Sequence, residues 1–139
     1  MNLTKKDLMK AMEKEPGLTD QGIAWKAPGE DFERSRAGLA GNLKDFKFCC
    51  NWLSQCKQIK TINRQVGSSY ALKHLAEAWS GRHLSNGSFI AAVIHLGIPY
   101  QTFSDTPNIC LALSSRCPFI KSSREIHKAG GANPAAPGG

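Results

Sequence analysis

The chain has 139 residues, 41% of them hydrophobic, and a formal net charge of +7. That size fits one domain with flexible ends and one modest core. No run of eighteen apolar residues occurs, which excludes a predicted transmembrane helix, and the opening MNLTKKDLMKAMEKEPG carries acids and no long apolar core, unlike a secretory signal.

The charge is uneven. Residues 1–40 hold seven Lys/Arg and seven Asp/Glu, whereas residues 41–139 hold eleven and four. The excess suits an anionic partner, either nucleic acid or an acidic protein surface; the alternative is a solvated basic face that only aids solubility. Five cysteines, an odd number, without an export signal predict reduced thiols in a cytoplasmic protein.

Residues 3–15 read as a short amphipathic helix. Thr4 is its cap, with Asp7 three residues on as in a capping box, and Leu8, Met9 and Met12 form its apolar face. Pro16 and Gly17 end it. A helix this short must dock on something, here the core. Residues 16–41 are interrupted by Gly17, Gly22, Pro28, Gly29, Gly38 and Gly41, so they read as irregular, with one helical turn near Asp31 to Ala37. Trp25 and Phe32 are their only large apolar anchors.

Residues 42–56 predict a core helix capped by Asn42. Leu43, Phe46, Cys50 and Leu53 form one stripe, and Cys49, Trp52 and Cys56 an adjacent one, with Lys44 and Lys47 on the remaining face. The following QIKTINRQVG reads as a short strand or an extended link with Lys57, Lys60 and Arg64 outward. Two helices joined by a short turn then fill Ser68 to Pro99. Leu72, Leu75, Ala76 and Trp79 stripe the first, with Ser68 or Ser69 as cap and Gly81 as terminator. Phe89, Ile90, Val93 and Ile94 stripe the second, with Ser85 or Asn86 as cap and Gly97 and Pro99 as stop.

The period then changes to two. Ile98, Tyr100 and Thr102, a turn at Ser104-Asp105-Thr106-Pro107, and Ile109, Leu111 and Leu113 predict a β-hairpin, with Pro99 at a strand start or edge. Residues 116–128 are basic, with a last helix from Ser122, and the Gly/Pro-rich 129–139 read as a disordered tail. The expected organisation is an N-terminal helix and irregular arm over 1–41, a basic helical core domain with the hairpin over 42–128, and the tail. The fold class is mainly α with a small β-hairpin (α+β), helix-turn-helix-like and possibly winged in its order of elements.

In a winged helix-turn-helix the last helix enters the major groove and the hairpin lies on the backbone. Basic residues around the predicted turn and link suit phosphate contacts: Lys57, Lys60, Arg64, Lys73, His74, Arg82 and His83. The second helix itself offers base edges only Asn86, Ser88 and His95 beside Ala91 and Ala92, with no Arg, Lys or Gln from Leu84 to Tyr100. So apolar a helix is expected to be buried on two sides, and contacts to come from its flanks. Its alanine face could also pack against another protein chain.

No metal or catalytic pattern emerges. Zinc ligands recur as C-x2–4-C pairs. Cys49 and Cys50 are adjacent, five residues separate Cys50 from Cys56, and six separate Cys110 from Cys117. The acids after residue 41 are Asp45, Glu77, Asp105 and Glu125, too scattered for a divalent metal. Glu77, four residues after Lys73, reads as the partner of a surface ion pair. His74, His83, His95 and His127 read as surface or structural side chains. No phosphate-loop motif occurs. No cofactor and no enzymatic activity are expected.

Tyr70 to His74 (YALKH), Ser85 to Gly97 (SNGSFIAAVIHLG) and Pro107-Asn108 form a set. Over residues 59–115 they resemble small uncharacterised proteins of bacterial plasmids, phages and integrative elements. The resemblance implies a mobile-element setting, where DNA binding and the disabling of a host defence protein, as by anti-CRISPR proteins, are both common. The leading expectation is a small non-enzymatic nucleic-acid-binding protein making backbone contacts. The alternative is a protein–protein inhibitor or adaptor acting on a host nucleic-acid-binding complex, or a subunit of such a complex.

Overall fold

The most apolar helix of the sequence lies at the centre of the molecule. The computed structural model describes residues 2–24 and 29–117. In chain order these form α1 (Lys5–Lys14), β1 (Leu18–Thr19), β2 (Gly22–Ile23), α2 (Glu30–Ala40), α3 (Leu43–Ser54), a 3-10 turn (Arg64–Val66), α4 (Ser69–Ser80), α5 (Asn86–His95), β3 (Tyr100–Phe103) and β4 (Thr106–Leu111). The fold is α+β and mainly helical, with two small antiparallel two-stranded sheets among the described residues.

Every residue of α5 from Asn86 to Ile94 is buried. Helices α1, α3 and α4, the β1–β2 hairpin and β4 all pack around it. Phe89, Ile90, Ala91, Ala92 and Val93 are wholly inaccessible. Truncating a buried phenylalanine such as Phe89 costs about 3–5 kcal/mol, so this helix is the mechanical centre of the domain. The helix keeps its expected place in the order of elements, but it has no outer face to lay in a groove. Ser85 caps it, accepting from the Ser88 N–H at 3.0 Å.

The N-terminal stretch belongs to the same core. Leu3, Leu8, Ala11, Met12, Leu18, Ile23 and Leu39 join one apolar cluster with the buried faces of α3, α4, α5 and β4. Helix α1 docks on the core as expected, with Asp7 accepting from the Thr4 N–H at 2.8 Å. Its apolar face is Leu8, Ala11 and Met12, whereas Met9 stays exposed.

Two expectations for residues 16–41 are corrected. The stretch holds a small hairpin, Leu18 opposite Ile23, and a full helix α2 rather than one turn. Buried Leu39 and a side chain together anchor α2: the Arg36 guanidinium donates to the carbonyls of Met12 at 2.9 Å, Pro16 at 3.1 Å and Leu18 at 2.8 Å. These bonds tie α2 to the last turn of α1 and to the chain that leads from it into β1. Trp25, the last helix from Ser122 and the 129–139 tail lie outside the described residues.

Helices α3 and α4 follow their predicted stripes, and Asn42 and Ser68 stand at their N-cap positions, but neither side chain makes a cap bond. The Asn42 amide turns away from α3 and donates to Asp20 at 3.1 Å. The Ser69 hydroxyl accepts from the Ile109 N–H of β4 at 3.0 Å. Gly81 ends α4 at a φ of +71°, as its position predicts.

The β3–β4 hairpin pairs Tyr100 with Leu111 and Thr102 with Ile109, and turns tightly at Ser104-Asp105 because Thr106 already pairs with Phe103. Ile109, Leu111, Ala112 and Leu113 face the core and are fully buried. The outer edge of β4 is covered too. The Ile59 N–H donates to Ala112 O at 3.0 Å, Asn63 N–H to Leu111 O at 3.1 Å, and Ser114 N–H to Lys57 O at 2.9 Å. The link over 57–63 therefore pairs irregularly with residues 111–114, the end of β4 and the chain just past it.

Candidate nucleic-acid interface

The seven candidate contact residues separate into two groups. Lys73, His74, Arg82 and His83 surround two carboxylates on α4 and α3. Glu77 sits on α4, one turn after Lys73. Its Oε1 lies 3.6 Å from Lys73 Nζ and 2.8 Å from His74 Nδ1, and its Oε2 lies 2.9 Å from His83 Nδ1. The Leu84 N–H completes the set at 2.8 Å. Burial raises the Glu77 carboxyl, but the Leu84 N–H, Lys73, His74 and His83 outweigh it and hold the group below its ordinary value. Arg82 forms an ion pair with Asp45, a residue of α3 that is 6% exposed.

Lys73 is a correction to the predicted contact set. It is only 4% exposed, packed between Glu77 and the Tyr70 ring, whose centroid lies 5.0 Å from its ammonium. The expected surface ion pair with Glu77 forms, but in the interior. Arg82 is likewise engaged in tying α3 to the α4–α5 turn. His74 and His83 are exposed, but each directs Nδ1 at Glu77.

Lys57, Lys60 and Arg64 form the second group. All three are exposed, and no carboxylate lies within ion-pair distance of them among the described residues. The pairing of 57–63 with β4 brings their backbones to one edge of the sheet. The Asn63 side chain fixes that edge, donating to Leu113 O and Ser115 Oγ, both at 2.9 Å. Arg64 stacks over the Phe103 ring at 5.5 Å and donates to Gln101 at 3.3 Å. Exposed Arg116, two residues past the Ser114 contact to Lys57, joins the same edge. Spacing could not show Arg116 there, since a strand-like pairing across more than fifty residues puts it there.

The segments YALKH, SNG and Pro107-Asn108 meet at one polar cavity of about 640 Å³, where Tyr70, Lys73, Ser85, Asn86, Pro107 and Asn108 are neighbours. The Asn86 amide joins the walls, donating to Gln21 O at 3.1 Å and Asn108 Oδ1 at 2.8 Å. Gly87 and Gly22 permit this approach. A Cβ on Gly87 would collide with Thr19 O, and Gly22 has a φ of +124° with Asn86 Nδ2 2.8 Å from where its Cβ would stand. Another cavity, of about 770 Å³, has Glu30, Asp31 and Asp105 among its lining residues.

No cluster of three or more His, Cys, Asp or Glu suited to a metal ion occurs among the described residues. No helix among them is long and apolar enough to cross a membrane. Fold and surface together define a small α+β domain with a cationic edge. No family model, curated protein or solved structure matches the chain.

Proposed function

We propose that this is a small non-enzymatic nucleic-acid-binding protein of a bacterial mobile element, gripping the sugar–phosphate backbone through Lys57, Lys60, Arg64 and Arg116. The observation that carries the reading is that these four cations share one fixed edge and lack carboxylate partners among the described residues. Cations already paired with carboxylates gain little by exchanging them for phosphates; unpaired ones gain by releasing the counterions of the nucleic acid. The buried α5 offers no side chain to base edges, so the expected binding is insensitive to sequence.

The test is binding of the purified chain to random duplex DNA, single-stranded DNA and RNA across a salt series. Four phosphate contacts on duplex predict log affinity falling against log salt with a slope of about −3 to −4. Absence of binding at low salt overturns the proposal. The alternative inhibitor reading, in which the Ala91/Ala92/His95 face wedges into a host protein, has little surface to use, since Ala91 and Ala92 are wholly buried and His95 is half-buried. The form of it that uses the basic face needs an acidic surface on the host protein and draws on the same four residues.

A further inference from the structure

Cys56 and Cys117 stand together at one end of the cationic edge. Cys56 directly precedes Lys57, and Cys117 directly follows Arg116. The Cys117 thiol donates to Cys56 Sγ at 2.8 Å, across 61 residues of sequence. Backbone bonds hold both where they are. The Cys56 N–H donates to Leu53 O at 3.0 Å, the Cys117 N–H to Ser114 O at 3.3 Å, and Ser114 itself is bonded to Lys57. A disulfide requires sulfurs about 2.05 Å apart, so closing the pair asks for side-chain movement of less than about 1 Å.

The other three cysteines are placed differently. Cys49 and Cys50 are wholly buried in α3. Cys110 alternates with buried Ile109 and Leu111 and so points to the opposite side of β4.

We propose that Cys56 and Cys117 are an oxidative modification site, joined by a small-molecule disulfide of the glutathione type into a clasp across the base of the cationic edge. Cys56 is half-buried and Cys117 is 1% exposed, so the oxidant reaches Cys56 first. The Cys56 sulfur, having lost its proton to solvent, attacks one sulfur of the oxidant. The S–S bond of the oxidant breaks and releases one small thiol. Cys117 then loses its proton and attacks Cys56 Sγ, forming the internal bond and expelling the second small thiol. The protein gives up two electrons and two protons, and one small disulfide becomes two thiols. The hydrogen bond from Cys117 and then burial push the Cys56 thiol up, which keeps its thiolate scarce at neutral pH. The site is therefore quiet in brief exposure and responds to sustained oxidation or to raised pH.

The experiment incubates the full reduced chain with oxidised glutathione at pH 7 and pH 9, followed by non-reducing proteolysis and mass spectrometry. The expected product has lost two hydrogens, links the Cys56 and Cys117 peptides within one chain, forms faster at pH 9, and melts about 5–10 °C higher than the reduced chain. Cys117→Ser should trap glutathione on Cys56, and Cys56→Ser should leave Cys117 largely unmodified. A link through Cys110, a link between chains, or a stable mixed disulfide on Cys56 of the unsubstituted protein overturns the proposal, as does no reaction at pH 9. The readout is mass, so it is independent of whether the cationic edge binds nucleic acid.

Discussion

Two groups of basic side chains drawn from one stretch behave oppositely. Around Glu77 and Asp45, Lys73, Arg82 and the Nδ1 atoms of His74 and His83 are turned inward on carboxylates. Along the 57–64 link, Lys57, Lys60 and Arg64, with Arg116 beside them, face solvent without an acid in reach among the described residues. The difference comes from the backbone beneath them. Helix α4 places Glu77 one turn from Lys73 and beside the turn that carries His83 and Leu84, so cations converge on it. The link lies on a sheet edge whose neighbours, from Leu111 to Ser115, carry no acid. Lys73 and Arg82 cancel against Glu77 and Asp45, so the excess charge that a partner would meet lies outside this group and includes the link.

The sharpest way to break this comparison is to neutralise each group in turn. Replacing Lys57, Lys60, Arg64 and Arg116 together by Gln should lower nucleic-acid affinity by on the order of 10²- to 10³-fold at 50 mM salt and flatten the salt dependence. Thermal unfolding should barely move, because exposed unpaired side chains contribute within about 0.5 kcal/mol. Arg82→Ala should show the reverse. It leaves Asp45 buried without its partner, which costs about 2–3 kcal/mol, less than a fully buried pair because the Arg82 side chain is 35% exposed. Denaturant titration reads the loss, and the salt slope of binding at a temperature where the variant is folded should be unchanged. If Arg82→Ala flattens the slope while the edge variant does not, the assignment of the two groups is inverted.

Much of the fold was legible because its core helices follow a regular period. Phe46, Cys49, Cys50 and Leu53, Leu72 and Ala76, and Phe89, Ile90, Val93 and Ile94 are buried where their stripes predict, and the hairpin alternation at Ile109, Leu111 and Leu113 holds. Helix α2 was not legible, because Leu39 is its only fully buried residue and its other anchor is a set of bonds from Arg36 to carbonyls up to 24 residues away. Asn42 and Ser68 stand at the N-cap positions that the sequence offers, but neither side chain bonds its helix end; the Asn42 amide is taken by a tertiary acceptor, and Ser69 accepts from β4 instead. In the candidate site, exposure of Lys57, Lys60 and Arg64 could be read from the polar link. The burial of Lys73 could not, since an i,i+4 pair with Glu77 looks the same in sequence whether it faces water or β4 and the polar cavity.

The carboxylate at the centre of the inward group makes that group pH-sensitive in a way the edge is not. The folded value of Glu77 lies below its ordinary 4.5, so the stability it contributes is present above about pH 4.5 and is lost as pH falls through the folded value. Glu77→Gln should cost about 1–2 kcal/mol at pH 7 through weakened bonds to Leu84, His74 and His83. The gap between variant and parent should narrow on acidification below pH 4.5. A gap that stays constant in that range would mean that the cations around Glu77 do not depend on its charge.

The smallest expected effect concerns how Arg64 is held. Its guanidinium is fixed by the Phe103 ring at 5.5 Å and by Gln101 at 3.3 Å, so it meets a phosphate already oriented, with parallel donors. Arg64→Lys keeps the charge but loses the planar fork and much of the stacking. The number of counterions released should therefore stay the same, and the salt slope with it, while affinity falls only a few-fold at every salt concentration. Phe103→Leu should reproduce that loss without touching any charge, because it removes the surface on which Arg64 rests. A change of slope in Arg64→Lys would show that Arg64 contacts more than one phosphate and that the fork, not the charge alone, carries its share of binding. Affinity equal to the parent's in both variants would show that Arg64 acts as a diffuse cation, and that the edge works by charge density rather than by the geometry of one oriented contact.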